Sequence, residues 1–236
     1  VILAHYVNTG AYSGHDWFYE TAKWMAGKVS VPVAIHLDHG NSFERCMEML
    51  KLGFTSIMFD GSALPVEENA AAPEAVARVC RSFGVPLEAE IGELCRLDDR
   101  GNKIGASNIA DPDVVRQYLK LCHPDSLAIG IGNAHGFYNG PVDIRVEVLE
   151  ECRKFTDIPF VLHGCTGMDE ELVKRSIDSG VAKINFGTQV RCQYVNYLKE
   201  GLAEGKDQGH AWKLSQYAEL RLREDIKDII RLAGSK

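Results

Sequence analysis

No stretch of the 236 residues runs uninterrupted through ~18 apolar positions, which excludes a membrane-spanning helix. No secretory signal peptide is visible either. The first residue is Val1, inside the apolar run Val1-Ile2-Leu3-Ala4, so a fragment or trimmed chain is expected. There is no Lys/Arg-rich segment, and 26 basic residues face 33 acidic ones for a net charge of −7. A nucleic-acid partner therefore has no electrostatic footprint, and neither nucleic acid nor membrane is expected as a partner. An anionic substrate would need local positive potential, from backbone amides or from a metal. None of the seven cysteines (Cys46, Cys80, Cys95, Cys122, Cys152, Cys165, Cys192) forms a CxxC pair. Their odd number and irregular spacing fit a reduced, cytoplasmic protein in which most serve as small core residues. No linker divides the chain, so residues 1–236 are expected to form one domain.

What is present is an alternation. Short apolar runs occur at Val1–Val7, Val31–Leu37, Ser56–Phe59, Val85–Ile91, Ser126–Ile131, Ile158–Leu162 and Val181–Phe186. They read as parallel strands covered on both faces. Amphipathic stretches lie between them. Asn41 with Glu44 resembles a capping box ahead of Phe43, Cys46, Met47 and Leu50, and Gly53 ends that helix. Asp111-Pro112 opens another, through Val115, Tyr118, Leu119 and Cys122. Asp169 caps a third, which Gly180 closes, and roughly 190–202 and 212–232 form two longer helices. Seven strands with helical crossovers imply a parallel sheet, either doubly wound or, as preferred here, a (β/α)8 TIM barrel lacking its first βα unit. One long polar segment, Gly92–Ala110, is too long for a plain connector and is expected to be an active-site lid.

The polar chemistry gathers at the C-terminal ends of these runs, the face on which barrels carry their active sites. His39, His135 and His163 each stand just past an apolar run and beside a glycine. Three neutral imidazoles suit a catalytic Zn²⁺ with an open coordination position. The bland alternative is three independent loop histidines, but three at equivalent strand ends favour the shared ion. Asp38 precedes His39 and can reach a metal-bound substrate, or else support a ligating histidine. Asp60 and Glu90 either hold a second divalent or monovalent cation or pair with Lys183. His36 is either a supporting partner or simply packed, and packing is preferred; His5, His15, His123 and His210 are read as structural. Two Gly-rich turns, His163-Gly164-Cys165-Thr166-Gly167 and Asn185-Phe186-Gly187-Thr188, are candidates for holding phosphate with backbone N–H groups.

The segments HLDHG, SIMFDGS, LEAEIG, GNAHGFY, VLHGCTG and KINFGT, in this order, resemble the class II (zinc-dependent) fructose-bisphosphate and tagatose-bisphosphate aldolases. The resemblance runs from Val31 to Thr188 and more weakly onward. It implies that His39, His135 and His163 are zinc ligands and Asp38 the acid/base for the aldehyde oxygen. It also implies that Asp60 and Glu90 ligate an additional metal. Gly136, Gly164, Thr166, Asn185, Gly187 and Thr188 would hold dihydroxyacetone phosphate, with Cys165 and Phe186 in the same turns. The expected activity is reversible cleavage of a ketose (bis)phosphate to dihydroxyacetone phosphate and an aldehyde through a metal-stabilised enediolate, in a cytoplasmic homodimer or homotetramer. The chain departs from the family pattern in its lid, which reads Cys95-Arg96-Leu97-Asp98-Asp99. Asp98 there matches the glutamate that moves the substrate proton. Asn133 replaces the usual Thr or Ser, and Gln189 a frequent acid. Two other classes compete. A metal-dependent barrel hydrolase should carry an early HxH pair, which is absent. A non-catalytic subunit on the same scaffold has only the altered lid in its favour.

Overall fold

A computed structural model of the chain describes residues 1–97, 103–104, 109–136 and 143–234. Strand β1 (Ile2–Tyr6) leads through a 3-10 turn and the short α1 (Gly10–Ser13) into α2 (His15–Ala26). There follow β2 (Ala34–Gly40), α3 (Phe43–Leu52), β3 (Ser56–Phe59), α4 (Val66–Phe83) and β4 (Leu87–Ile91). Two short strands, β5 (Cys95–Leu97) and β6 (Lys103–Ile104), precede α5 (Pro112–Leu121), β7 (Ser126–Ile129) and β8 (Ala134–His135). The chain continues through α6 (Val146–Arg153), β9 (Phe160–Leu162), α7 (Glu170–Asp178), β10 (Val181–Ile184), α8 (Thr188–Ala203) and α9 (Ala211–Leu232).

Seven strands form one parallel sheet in the order β1-β2-β3-β4-β7-β9-β10. The sheet curls into an incomplete barrel, and its two edge strands, β1 and β10, line the same cavity with Ile2 and Ile184. The curl follows from how the strands divide their faces. Ile35 and Leu37 of β2, Leu87, Ala89 and Ile91 of β4, Leu127 and Ile129 of β7, and Phe160 and Leu162 of β9 pack into the two apolar clusters that also take in the helices. The period of two then turns His36, Glu88, Glu90 and Val161 to the other face. A fully buried Leu or Phe side chain is worth about 1.5–3 kcal/mol, so the helix-covered face holds the register while the inner face is free to carry charge.

Two local expectations are corrected. The helix cap at α3 is Ser42, whose hydroxyl accepts from the Arg45 N–H at 3.1 Å, rather than Asn41. Helix α7 ends at Asp178 as expected: after the cap Ser179, Gly180 takes a left-handed φ of +104° and its N–H donates to the Ile177 carbonyl at 2.9 Å, closing the helix. The segment after β4 is not wholly irregular: β5 pairs in parallel with β8 (Cys95↔Ala134, Arg96↔His135) and antiparallel with β6. It thus lies alongside the strand that carries His135. Asp98 and Asp99 fall outside the described residues. No described helix is long and apolar enough to cross a membrane.

Candidate active site

Strand β2 does not stop at Leu37 but runs on through the HLDHG segment to Gly40. Its pairing with β3 slips between Leu37 and Gly40, so one extra residue is accommodated there. A regular strand would send Asp38 and His39 to opposite faces. The bulge re-aims them, and both line the central cavity. His39 has φ of +53°, a left-handed conformation that a non-glycine residue rarely adopts. Such strain persists where surrounding contacts over-determine it, and it clusters at functional sites.

Three imidazoles meet over the barrel mouth. Ring centroids of His39 and His163 are 4.9 Å apart, those of His39 and His135 5.1 Å, and those of His135 and His163 6.0 Å. One nitrogen from each lies within 4.8 Å of the others. Gly164 makes this approach possible: it has φ of +66°, and a Cβ there would come within 2.4 Å of the Ala134 carbonyl oxygen, next to His135. Asn133 adds a tie, donating to the His163 carbonyl at 2.7 Å while its own amide oxygen accepts from the Ile131 N–H at 2.9 Å. Asn133 is thus a buried brace between the β7 and β9 ends.

Carboxylates fix the tautomers. A carboxylate only accepts, so the nitrogen facing it must carry the proton. His39 Nδ1–H donates to Asp60 at 2.7 Å, and His163 Nε2–H donates to Glu88 at 2.8 Å. That leaves His39 Nε2 and His163 Nδ1 as the acceptor nitrogens, the second of them within 3.3 Å of the Asn185 amide. His39 Nε2 is buried with no hydrogen-bond partner among the described residues. An orphaned buried acceptor among converging imidazoles, two of them braced by carboxylates, is the pattern of a cation site. The three histidines therefore fit a divalent ion. A second group, His39, Asp60 and Glu90, also brings ligand atoms within 4.8 Å of one another. Glu90 Oε2 is likewise buried and unpartnered among the described residues.

The electrostatics follow from this crowding. Burial works against a charged His39, yet the hydrogen bond to Asp60 and the neighbouring Glu90 and Asp38 outweigh it and hold the ring up at about 9. Burial, with Asp60 and Glu88 nearby, pushes Glu90 up to about 8. Asp60 and Asp38 are both held below the usual carboxylate range: burial opposes this, but His39 overcomes it at Asp60, and His39, His163 and Lys183 overcome it at Asp38. A second proton on His39, at Nε2, and a cation on that same nitrogen exclude one another.

Lys183 does not pair with Asp60 or Glu90. It donates to Glu88 at 2.7 Å inside the barrel and to His36 Nε2 at 3.3 Å. His36 in turn bonds Ser56 Oγ at 2.8 Å. His36 is therefore not merely packed; burial lowers it to about 4, so it stays neutral beside the lysine. The chain Ser56–His36–Lys183–Glu88–His163 is a buried polar relay beneath the imidazoles. Glu88 and Lys183 were absent from the sequence-derived site, although the Glu88/Glu90 spacing of two places both on the inner face of β4. Tyr6 was also missed: its ring stands edge-on to His39, with centroids 6.1 Å apart, and it lines the cavity.

The two Gly-rich turns lie together on the β9–β10 side. Thr166 Oγ1 accepts from the Gln189 N–H at 3.1 Å, which staples one turn to the other. Gly136, Gly164, Thr166, Asn185, Phe186, Gly187 and Thr188 all line the cavity. Cys165 does not; its thiol is packed in the core and burial pushes its pKa well up, so any role it has rests on its backbone. The Asn185 amide donates to Asp38 Oδ1 at 3.2 Å and approaches His163 Nδ1 at 3.3 Å. His5 and His15 bond each other at 2.8 Å, away from the triad, and His123 pairs with Glu74.

Fold and site together define an α/β-barrel protein with a cation-type histidine cluster at the mouth of its sheet. The family model "Fructose-bisphosphate aldolase class-II" matches residues 1–236, and the chain belongs to this family of lyases. A probable fructose-bisphosphate aldolase of Bacillus subtilis (strain 168) is 38% identical over 208 residues, covering 88% of this chain and 73% of that protein. The fructose-bisphosphate aldolase of Staphylococcus epidermidis (strain ATCC 12228) is 34% identical over 97% of this chain and 82% of its own length. A 6-phospho-5-dehydro-2-deoxy-D-gluconate aldolase of Bacillus subtilis (strain 168) is 35% identical over 76% of this chain, but that match spans only 61% of the relative. Among solved structures, the YdjI aldolase of Escherichia coli K12 superposes with a TM-score of 0.84 at 28% identity, over 100% of this chain and 81% of that one.

Proposed function

We propose that the protein is a metal-dependent aldolase that reversibly cleaves a phosphorylated ketose to dihydroxyacetone phosphate and an aldehyde. The observation that carries this reading is the buried His39 Nε2, without a hydrogen-bond partner among the described residues, beside two further imidazoles in the cavity that Asp38 and both Gly-rich turns also line. His39, His135 and His163 would hold Zn²⁺, and Asp60 with Glu90 a second cation. A divalent ion there supplies Lewis acidity toward the oxygens of the ketose fragment, an effect worth several kcal/mol.

The remaining work falls to the chain's own groups. Asp38, kept ionised by the neighbouring histidines and Lys183, accepts the hydroxyl proton as the carbon–carbon bond breaks and returns it on condensation. The amide of Asn185 already reaches Asp38, so it can hold a substrate oxygen between the metal site and the base. The backbone of the 163–167 and 185–188 turns holds the phosphate and fixes the reacting carbon. Asp98 is the proposed group for the carbon-bound proton. Six described cysteines are free thiols, which suits a reducing compartment such as the cytoplasm.

The test is a panel of ketose mono- and bisphosphates on the zinc-loaded protein, scored by triose phosphate release. Chelation should abolish cleavage and Zn²⁺ or Co²⁺ should restore it. Asp38→Ala should keep its metal and lose at least ~100-fold in turnover. Full activity of the stripped protein, or unimpaired turnover by Asp38→Ala, would overturn the reading.

A further inference from the structure

The bulge between β2 and β3 sets two residues against one. Leu37 pairs with Ile57 and Gly40 with Phe59, so Asp38 and His39 together face Met58. Pairing resumes directly beyond this step, where the Gly40 carbonyl accepts from the Asp60 N–H at 2.8 Å. The extra residue of a bulge drops out of the ladder, and its backbone N–H then needs another acceptor. His39 meets one on the opposing side chain: its N–H donates to Met58 Sδ at 3.4 Å.

Apolar packing does not account for this methionine. Its neighbours Ile57 and Phe59 join a helix-covered cluster, whereas Met58, although fully buried, belongs to neither apolar cluster. The period of two turns it into the barrel, in register with Glu88 of β4. A thioether is a weak acceptor on a flexible, unbranched chain. It can fill the space beneath the imidazoles and still meet an N–H that the bulge has displaced. Leucine would fill nearly the same volume but leave a buried donor unsatisfied. The contact also falls on the residue that most needs holding, since His39 has the left-handed φ of +53°.

We propose that Met58 is a positioning residue: its sulfur anchors the His39 backbone in the left-handed conformation and so sets the His39 imidazole against those of His135 and His163. Met58 acts through His39 and not on the substrate. For zinc this rests on the metal-dependent reading above; for the His39 backbone it stands without that reading.

The experiment compares the full chain with Met58→Leu and with a control, Met49→Leu, the same swap at a fully buried methionine of the helix-covered layer. Cores tolerate such volume-conserving swaps. Two quantities are read. One is hydrogen exchange of the His39 backbone amide, followed by NMR in metal-free protein carrying isotope-labelled histidine. The other is the zinc Kd, from competition with a chelator. Met58→Leu should speed exchange of that amide at least ~10-fold and raise the zinc Kd by about 10- to 100-fold. Met49→Leu should keep both within about twofold of wild type. Unchanged exchange or unchanged zinc affinity in Met58→Leu, or equal losses in Met49→Leu, overturns the role of Met58. If Met58→Leu does not fold, the wild-type protein decides: a protected His39 amide supports the role, and one that exchanges as fast as an exposed amide overturns it. A wild-type protein that binds no zinc overturns the metal reading, and the amide measurement still judges the hold of Met58 on His39.

Discussion

Glu88→Gln is the most informative single perturbation of this protein. The side chain is buried, bonded through one oxygen to His163 at 2.8 Å and through the other to Lys183 at 2.7 Å. At an effective dielectric of ~20, two unit charges at that lysine distance attract by about 6 kcal/mol. Desolvation offsets much of this in the folded protein, but removing one partner leaves the other charge buried. A loss of about 3–5 kcal/mol follows, and at about 2–4 °C per kcal/mol the Tm should fall by on the order of 10 °C. His163 also loses the anion that fixes its Nε2 proton, so zinc affinity should drop about 10- to 100-fold.

The two effects separate in a double variant. Glu88→Gln with Lys183→Met removes the orphaned charge along with its partner, so most of the lost stability should return. Zinc affinity should not, because His163 still lacks its carboxylate. The assays are thermal melting of the metal-free protein and chelator competition for zinc. A single variant with wild-type Tm, or a double variant that recovers zinc affinity together with stability, would refute the assignment of Glu88 as the joint anchor of Lys183 and His163.

Gly164→Ala should destabilise by about 2–4 kcal/mol and lower zinc occupancy, since its Cβ would meet the Ala134 oxygen at 2.4 Å from a φ of +66°; normal melting and full metal content would show that the turn can relax. For the metal-free protein, His39 is raised from 6.5 to about 9 and Glu90 from 4.5 to about 8. Their contributions are complete below the lower values and are lost as pH rises through the upper ones, so the stripped protein should melt lower at pH 9 than at pH 6.5. A flat or rising Tm over that range in the presence of chelator would contradict these protonation states.

Much of the fold was legible because its signals are local. The short apolar runs marked all seven strands of the large sheet, and Asp111 and Asp169 cap the helices they were expected to cap. The three histidines were legible for a similar reason: each follows an apolar run and adjoins a glycine. What escaped was set by tertiary contacts. Ser42 outcompeted Asn41 because a cap is decided by which oxygen reaches the Arg45 N–H. The bulge at Asp38-His39 exists only in the register between β2 and β3. The partner of Lys183 could not be chosen from spacing, since Glu88 is 95 positions away and Glu90 nearly as far.

The buried relay carries functional meaning on energetic grounds. Replacing a buried ion pair by apolar side chains of similar volume is often neutral or stabilising by 1–4 kcal/mol. A barrel interior selected for stability alone would therefore hold Leu and Val where this one holds His36, Glu88 and Lys183. The relay instead ends on the imidazole of His163, and a parallel contact from Asp60 ends on His39. Each carboxylate turns one ring nitrogen into a donor and so leaves the other as an acceptor, the form in which a histidine can bind an ion. Asn133 and Gly164 serve the same end through the backbone, by setting the β9 turn against the β8 strand. The mouth of the barrel is thus organised around presenting lone pairs to one point, and the buried charge beneath it makes sense as the means of holding them there.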